Sequence, residues 1–243
     1  TQKDGSVYAG NVAISAGRQL APGWTLSLEG DASLEHVPEF RALDRGQVAM
    51  QVGLRRKFGL GPLAPWLKAQ GTIGQAHFDE DFRSGTLLAA SLAAGKRFTE
   101  TLEASVGGET REYAARLHPF DVRQRRLFAE ANWDVTERWR LSGGAARPRN
   151  AAWPVYASAL GGGFGPAIQS YYSSIPWATT GTFGPGWVAY RVDARTDSWW
   201  LAVSPALTDR TSLTLRYEAV RVVNRVQVRY DSEFWSLSLS HRL

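Results

Sequence analysis

The sequence predicts an all-β chain, an antiparallel up-and-down transmembrane β-barrel of about 12 strands (about 10 to 12, or part of a larger barrel), on three observations. Apolar and polar residues alternate with a period of two over stretches longer than ordinary strands. Short and long connections alternate along the chain. Aromatic residues stand beside the short connections.

The alternation is plainest from Trp24 onward, where Trp24, Leu26, Leu28, Gly30, Ala32 and Leu34 take one parity and Thr25, Ser27, Glu29, Asp31, Ser33 and Glu35 the other. Soluble strands usually run about five or six residues, whereas a tilted strand needs about nine to eleven to cross a bilayer. The same pattern returns in Val48, Met50, Val52 and Leu54 against Gln47, Gln51, Arg55 and Lys57, and in Leu63, Leu67, Ala69 and Ile73 against Lys68, Gln70 and Thr72. It recurs at 102–109, 127–133, 213–219 and 235–240. Strands are expected at about 6 to 20, 24 to 36, 45 to 58, 62 to 76, 84 to 97, 101 to 114, 122 to 134, 138 to 147, 187 to 206, 211 to 223 and 225 to 243. Antiparallel closure of one chain takes an even number, so a further strand is expected within 148–198 or ahead of Thr1. Slips of parity near Arg195 to Ser198 and near Asp231 to Phe234 suggest bulges or short turns.

The short connections are Ala21 to Gly23, Gly59 to Pro62, Arg97 to Glu100, Asp134 to Arg138 and Leu207 to Arg210, with Trp24, Phe58, Phe98, Trp133 and Trp139 beside them as an interfacial girdle. The long ones fall around 37–45, 77–84, 114–123 and above all 148–186, a Gly-, Pro- and aromatic-rich loop that reads either as an inward-folded lid or as an exposed surface loop. One domain over 1–243 with a long extracellular loop at about 148–186 is therefore expected.

Composition narrows the classes. Mean hydropathy is −0.27 and 44% of residues are apolar, and no run reaches the roughly 18 apolar residues of a spanning helix. Cysteine is absent, which excludes disulfides, thiolate nucleophiles and Cys-ligated metals. No basic segment followed by an apolar run opens the chain, so the start at Thr1 reads as a processed protein or a cut fragment. The net charge is +5, but Arg and Lys mingle with acids along the whole chain, so no nucleic-acid partner is expected. A β-propeller would repeat motifs at roughly 40 to 50 residues, and none repeat.

The turn-edge phrase Thr136-Glu137-Arg138-Trp139-Arg140-Leu141-Ser142 and the closing run Phe234-Trp235-Ser236-Leu237-Ser238-Leu239-Ser240-His241-Arg242-Leu243 resemble the Gram-negative outer-membrane β-barrel class, over essentially the whole length. In that class the last strand ends in an aromatic residue recognised by the assembly machinery. This chain departs from the pattern with Leu243 at the end and His241 third from it. The resemblance implies residence in the bacterial outer membrane, with the lipid bilayer and lipopolysaccharide as surroundings, short turns in the periplasm and long loops outside. It singles out no narrower family among porins, other channels, omptin-like proteases or lipid hydrolases.

If lipid meets the apolar face, the polar face lines a lumen, because nothing else inside a bilayer satisfies charge. That face would carry Glu29, Asp31, Glu35, Glu103, Glu109, Glu130 and Glu218 with Arg55, Lys57, Lys68, Arg111, Arg140, Arg216 and Arg242. The charges either segregate across a water-filled pore and set selectivity, or pair and close it. Small residues on the same face, among them Ser15, Gly17, Ser33, Ser105, Gly107 and Ser142, leave room and favour a narrow pore.

For catalysis, His36, His77 and His118 fall at outer strand ends near Glu35, Asp79, Glu80, Asp81 and Asp121, as a surface protease or lipid hydrolase would need. Scattered, unassembled side chains in solvated loops describe them better, and no catalytic residue is assigned. Asp79-Glu80-Asp81 reads as a solvated loop rather than a cation site, and Gly161-Gly162-Gly163 lacks the setting of a phosphate loop. No metal or cofactor is expected. The expected function is an outer-membrane channel or secretion conduit for polar or charged solutes or a polymer. The alternatives are an outer-rim hydrolase and a structural or receptor-like barrel subunit with an envelope-complex partner.

Overall fold

The computed structural model describes residues 6–158, 166–225, 227 and 229–241, with side chains described outside 149–169. The strands are β1 (Tyr8–Ala21), β2 (Trp24–His36), β3 (Arg45–Lys57), β4 (Trp66–Phe78), β5 (Gly85–Arg97), β6 (Leu102–Ala115), β7 (Val122–Thr136), β8 (Trp139–Ser158), β9 (Trp177–Thr180), β10 (Trp187–Pro205), β11 (Thr211–Asn224) and β12 (Arg229–His241). One helix, α1 (Pro166–Ser174), lies between β8 and β9. The fold class read from the sequence is the one observed, a single curled twelve-stranded antiparallel sheet. All strands but β9 follow chain order from β1 to β12, and β9 pairs only with the outer end of β10. Among the described residues no ladder joins β1 to β12.

The two ends of the sheet differ as the connections predict. At the turn end, Gly23 adopts φ 77°, and a Cβ there would lie 2.6 Å from the Lys57 carbonyl oxygen. Glycine is the residue that both closes this turn and lets the Lys57 N–H donate to the Gly23 carbonyl at 2.7 Å. β4 begins at Trp66 rather than residue 62, since Pro62 and Pro65 have no N–H for a ladder and Leu63 falls in the turn.

β8 runs to Ser158, inside the stretch that the sequence assigns to a loop. Pro148 pairs with Arg126 on one side and faces a register shift on the other, between Ala194 and Ser198. A residue without an N–H is tolerated at such an irregularity. The extra residue of that shift lies on β8, between Ala146 and Ala151, while β10 stays in register with β11 through Ala194–Val203, so the parity slip near Arg195 marks the stretch opposite a bulge rather than a bulge of β10 itself. The second slip is no bulge: β11 and β12 stay in register from Arg229 to His241, and the pattern breaks because Asp231 and Glu233 stand on the face of Trp235 and Leu237 while Phe234 stands on the face of Glu218.

Most exposed large apolar side chains of the strands form one face, among them Leu34, Val48, Met50, Ile73, Leu88, Leu92, Val106, Leu127, Leu201 and Leu237. Buried residues gather instead at the loop end, with Val37, Leu87, Phe120, Tyr172, Val188 and Val192 all below a tenth exposed. An inside-out distribution of this kind needs an apolar solvent on the outer face.

Candidate functional site

Cross-strand partners share a face, so the ladder registers show where each expected residue points. One row joins Glu29, Gln51, Thr72, Ala89, Arg111 and Gln124. A second runs from Lys57 through Trp66, Gly95, Ser105, Glu130, Gly144 and Trp200 to Glu218. Arg55 pairs with Lys68, Glu103 lies in the row that reaches Arg216, and Asp31, Glu35, Glu109 and Arg140 continue the same parity. All thirteen expected residues thus occupy one face, and the exposed apolar side chains of β1–β8 and β10–β12 occupy the other apart from Phe234, which is the partner of Glu218. Arg242 lies outside the described residues.

Contacts that skip strands mark this face as concave. Arg55 Nη2 on β3 comes within 3.8 Å of Glu103 Oε1 on β6, although adjacent strands are about 4.8 Å apart along the sheet. Glu103 also accepts from Trp66 Nε1 at 2.9 Å and lies 3.6 Å from Arg97 Nη2, while the Arg55 guanidinium sits 4.6 Å over the Trp66 ring. Glu109 accepts from Arg126 at 2.8 Å, Arg216 donates to Glu218 at 2.7 Å, Arg140 to Asp134 at 2.6 Å, and Arg45 to Glu35. Glu29, Asp31, Lys57, Lys68, Arg111 and Glu130 make neither a side-chain hydrogen bond nor an ion pair among the described residues. Pairing therefore neutralises part of the face and leaves charges of both signs available. Sequence reading missed Arg45, Arg97, Arg126 and Asp134 as partners, because which opposite charges meet depends on register, which composition does not carry.

The hairpin β9–β10 reaches across this face at the loop end. Glu80, in the β4–β5 connection, accepts from Gly181 N at 3.0 Å, Thr182 Oγ1 at 3.0 Å and Thr180 Oγ1 at 3.2 Å, and from Arg83 Nε at 2.9 Å. Arg83, 5% exposed at its side chain, donates to Thr182 Oγ1 at 2.6 Å and lies 5.0 Å over the Phe120 ring. Phe183 meets Phe40 edge-on at 4.9 Å, and Arg191 Nη1 lies 2.8 Å from His118 Nε2. One arm of the chain is thereby fastened to three separate connections.

Those three connections share a build that the sequence conceals. Each holds a one-turn 3-10 helix, Arg41–Leu43, Asp81–Arg83 or His118–Phe120, and each is followed by a residue whose side chain accepts a backbone N–H from the preceding strand end. Asp44 takes Val37 N at 2.7 Å, Ser84 takes Phe78 N at 2.9 Å, and Asp121 takes Ala115 N at 2.9 Å. Each also holds a histidine: His36 on Asp44 at 2.7 Å, His77 on Ser84 at 3.3 Å and His118 on Asp121 at 2.6 Å. The Val37 N–H, together with His36, holds the Asp44 carboxyl below the usual carboxylate range.

The three histidines thus stand in separate connections, each serving its own turn. Ser84, His77 and Asp81 approach a triad in kind only. Ser84 Oγ lies 3.3 Å and Asp81 Oδ1 3.9 Å from the same ring nitrogen, Nδ1, whereas a base relay uses both nitrogens. Asp79-Glu80-Asp81 divides as well, Glu80 turning to the arm and Asp81 to Arg116. Among the described residues no three His, Asp or Glu side chains group to hold a metal, and no helix is long and apolar enough to cross a membrane. Gly161-Gly162-Gly163 lies outside the described residues.

No family model matches the chain, and no curated protein matches it. Solved structures are similar in shape at very low identity. The chain is 9% identical to the NanC porin, covering 98% of each with a TM-score of 0.48. It is 9% identical to the KdgM porin in complex with disordered oligogalacturonate, 98% of each covered, TM-score 0.42. It is also 9% identical to the TodX monoaromatic hydrocarbon channel, covering 98% of this chain and 75% of that one, TM-score 0.49. At such identities what those proteins bind or carry is not transferred. An up-and-down antiparallel sheet with an apolar convex face and a charged concave one is the architecture of the outer-membrane β-barrel class.

Proposed function

We propose that the chain is a bacterial outer-membrane channel for polar or charged solutes, with its outer mouth narrowed by the β9–β10 arm. The observation that carries this reading is the division of the sheet, with thirteen ionisable residues on the concave face and Leu, Val, Ile and Trp exposed on the convex face. In hydrocarbon a charged side chain is tolerated where it faces a water-filled interior. The unpaired acids and bases then act on a passing solute through a field that bulk water screens less inside a narrow passage.

The arm supports the constriction. It leads into β10 and is held not only by the neighbouring β6–β7 connection but by the β4–β5 and β2–β3 connections, several strands away in the order, so it crosses the opening rather than lining its rim. A surface hydrolase finds no support in the separate histidines. The test is conductance and reversal potential in planar bilayers. A steady current whose ion selectivity shifts in opposite directions in Glu29→Lys and Arg55→Glu is expected, and absence of any current overturns the reading.

A further inference from the structure

Beneath the roof formed by the β4–β5 and β6–β7 connections lies a cavity of about 240 Å³ on the concave face. Three arginines line it, Arg45, Arg83 and Arg111, with Gln47, Gln124 and Tyr113, and its lining contains no acid. The arginines are not equivalent. Arg83 is taken up by Glu80 and Thr182, and Arg45 by Glu35. Arg111 makes neither hydrogen bond nor ion pair among the described residues, and the nearby Glu109 is bonded to Arg126. Arg45 adds a second unmet donor, since its Nε is buried and unbonded among the described residues.

We propose that this cavity is a binding site for a small carboxylate solute, with Arg111 as its charged anchor. The proposal deepens the channel reading and rests on it, because it makes the site a station on the solute's path. The physical grounds are three. The cavity carries one uncompensated positive charge and no competing carboxylate. Arginine presents a planar fork of donors that matches the two oxygens of a carboxylate. The volume holds about eight waters at ~30 Å³ each, which suits a solute of a few carbons. Gln47 and Gln124 stand in the wall as neutral donors that orient without adding charge. The Tyr113 hydroxyl donates a hydrogen bond to the Arg83 carbonyl oxygen at 2.6 Å, which ties the roof to the wall.

The experiment is equilibrium calorimetry on the protein in lipid nanodiscs, which requires no current. The probes are succinate, inorganic phosphate and glucose, titrated into wild type, Arg111→Gln, Arg111→Lys and the turn-end control Arg138→Gln. Succinate is expected to bind in wild type and in Arg138→Gln. In Arg111→Gln binding should weaken by roughly 10- to 100-fold, the usual worth of a charge-assisted hydrogen bond, and Arg111→Lys should recover part of it. Glucose should not bind, and phosphate should bind more weakly than succinate. No succinate binding, equal losses in Arg111→Gln and Arg138→Gln, or equal binding of glucose overturns the site. Phosphate binding more tightly than succinate overturns the carboxylate assignment. Binding without conductance would leave the site standing while the channel reading falls, and conductance without binding would do the reverse.

Discussion

Glu80 is the point at which the arm is most open to attack. Its carboxylate collects four donors, Arg83 Nε, Gly181 N, Thr180 Oγ1 and Thr182 Oγ1, at 2.9 to 3.2 Å. Its side chain is 15% exposed and that of Arg83 only 5%. Glu80→Ala leaves the Arg83 guanidinium buried without its carboxylate, and breaking a buried pair from one side costs about 3 to 5 kcal/mol. Much of that cost should fall on the closed arm, because the lost acceptor served Thr180, Gly181 and Thr182 directly. Taking ~3 kcal/mol for local opening, the ladder amides of β9 and the outer end of β10 should exchange with solvent about 150-fold faster, at ~1.4 kcal/mol per decade. Glu80→Gln keeps an acceptor and should fall between. The assay is hydrogen exchange read by mass spectrometry on peptides covering 177–190, with a β4–β5 peptide as internal reference. Less than a threefold acceleration confined to the arm would refute the idea that Glu80 fastens it.

Two further outcomes follow from the faces and the connections. Ile73→Arg puts a charge on the convex face of β4, where Ile73 is 56% exposed, and Thr72→Arg puts the same charge on the concave face one residue away. Near the bilayer midplane the first should cost about 2 to 4 kcal/mol in folding into lipid vesicles and the second much less, and equal costs would contradict the assignment of hydrocarbon to the convex face. The second outcome concerns pH. The folded Asp44 carboxyl sits below its ordinary value of 3.8, chiefly through the Val37 N–H, so its hold on the β2–β3 connection is complete above that value. The hold is lost as pH falls through the depressed folded value. The Val37 amide resonance should therefore titrate below 3.8, and a midpoint above it would count against the bond.

The strands were legible because lipid on one side and charge on the other write a strict period of two. β2 appears at Trp24–His36, the bounds the alternation implies, and β5 and β10 differ by a residue at one end. Prediction failed where local chemistry and tertiary pairing disagree. Pro148 marks a break by itself, but a register shift on the β10 side accommodates it, and β8 continues to Ser158. The face of each charged residue was equally legible, since parity alone decides it. Partners were not: Glu103 reaches Arg55 across two intervening strands, and only the curl of the sheet creates that neighbour. The grip of Glu80 on residues a hundred positions later is similarly invisible in the chain, where Asp79-Glu80-Asp81 reads as a solvated run.

The outermost strands share a sense of travel. β1 runs from the loop end at Tyr8 to the turn at Ala21, and β12 from Arg229 at the loop end to His241 beside the start of β11, so the two rims point the same way. Each rim presents a file of peptide groups with no neighbour among the described residues, and in hydrocarbon each such group costs several kcal/mol. Inside a bilayer the rims must therefore be met by peptide. Met by one another, they form a parallel seam with slanted, evenly spaced bonds; met by strands of the contrary sense, those strands are odd in number, and the completed ring is even.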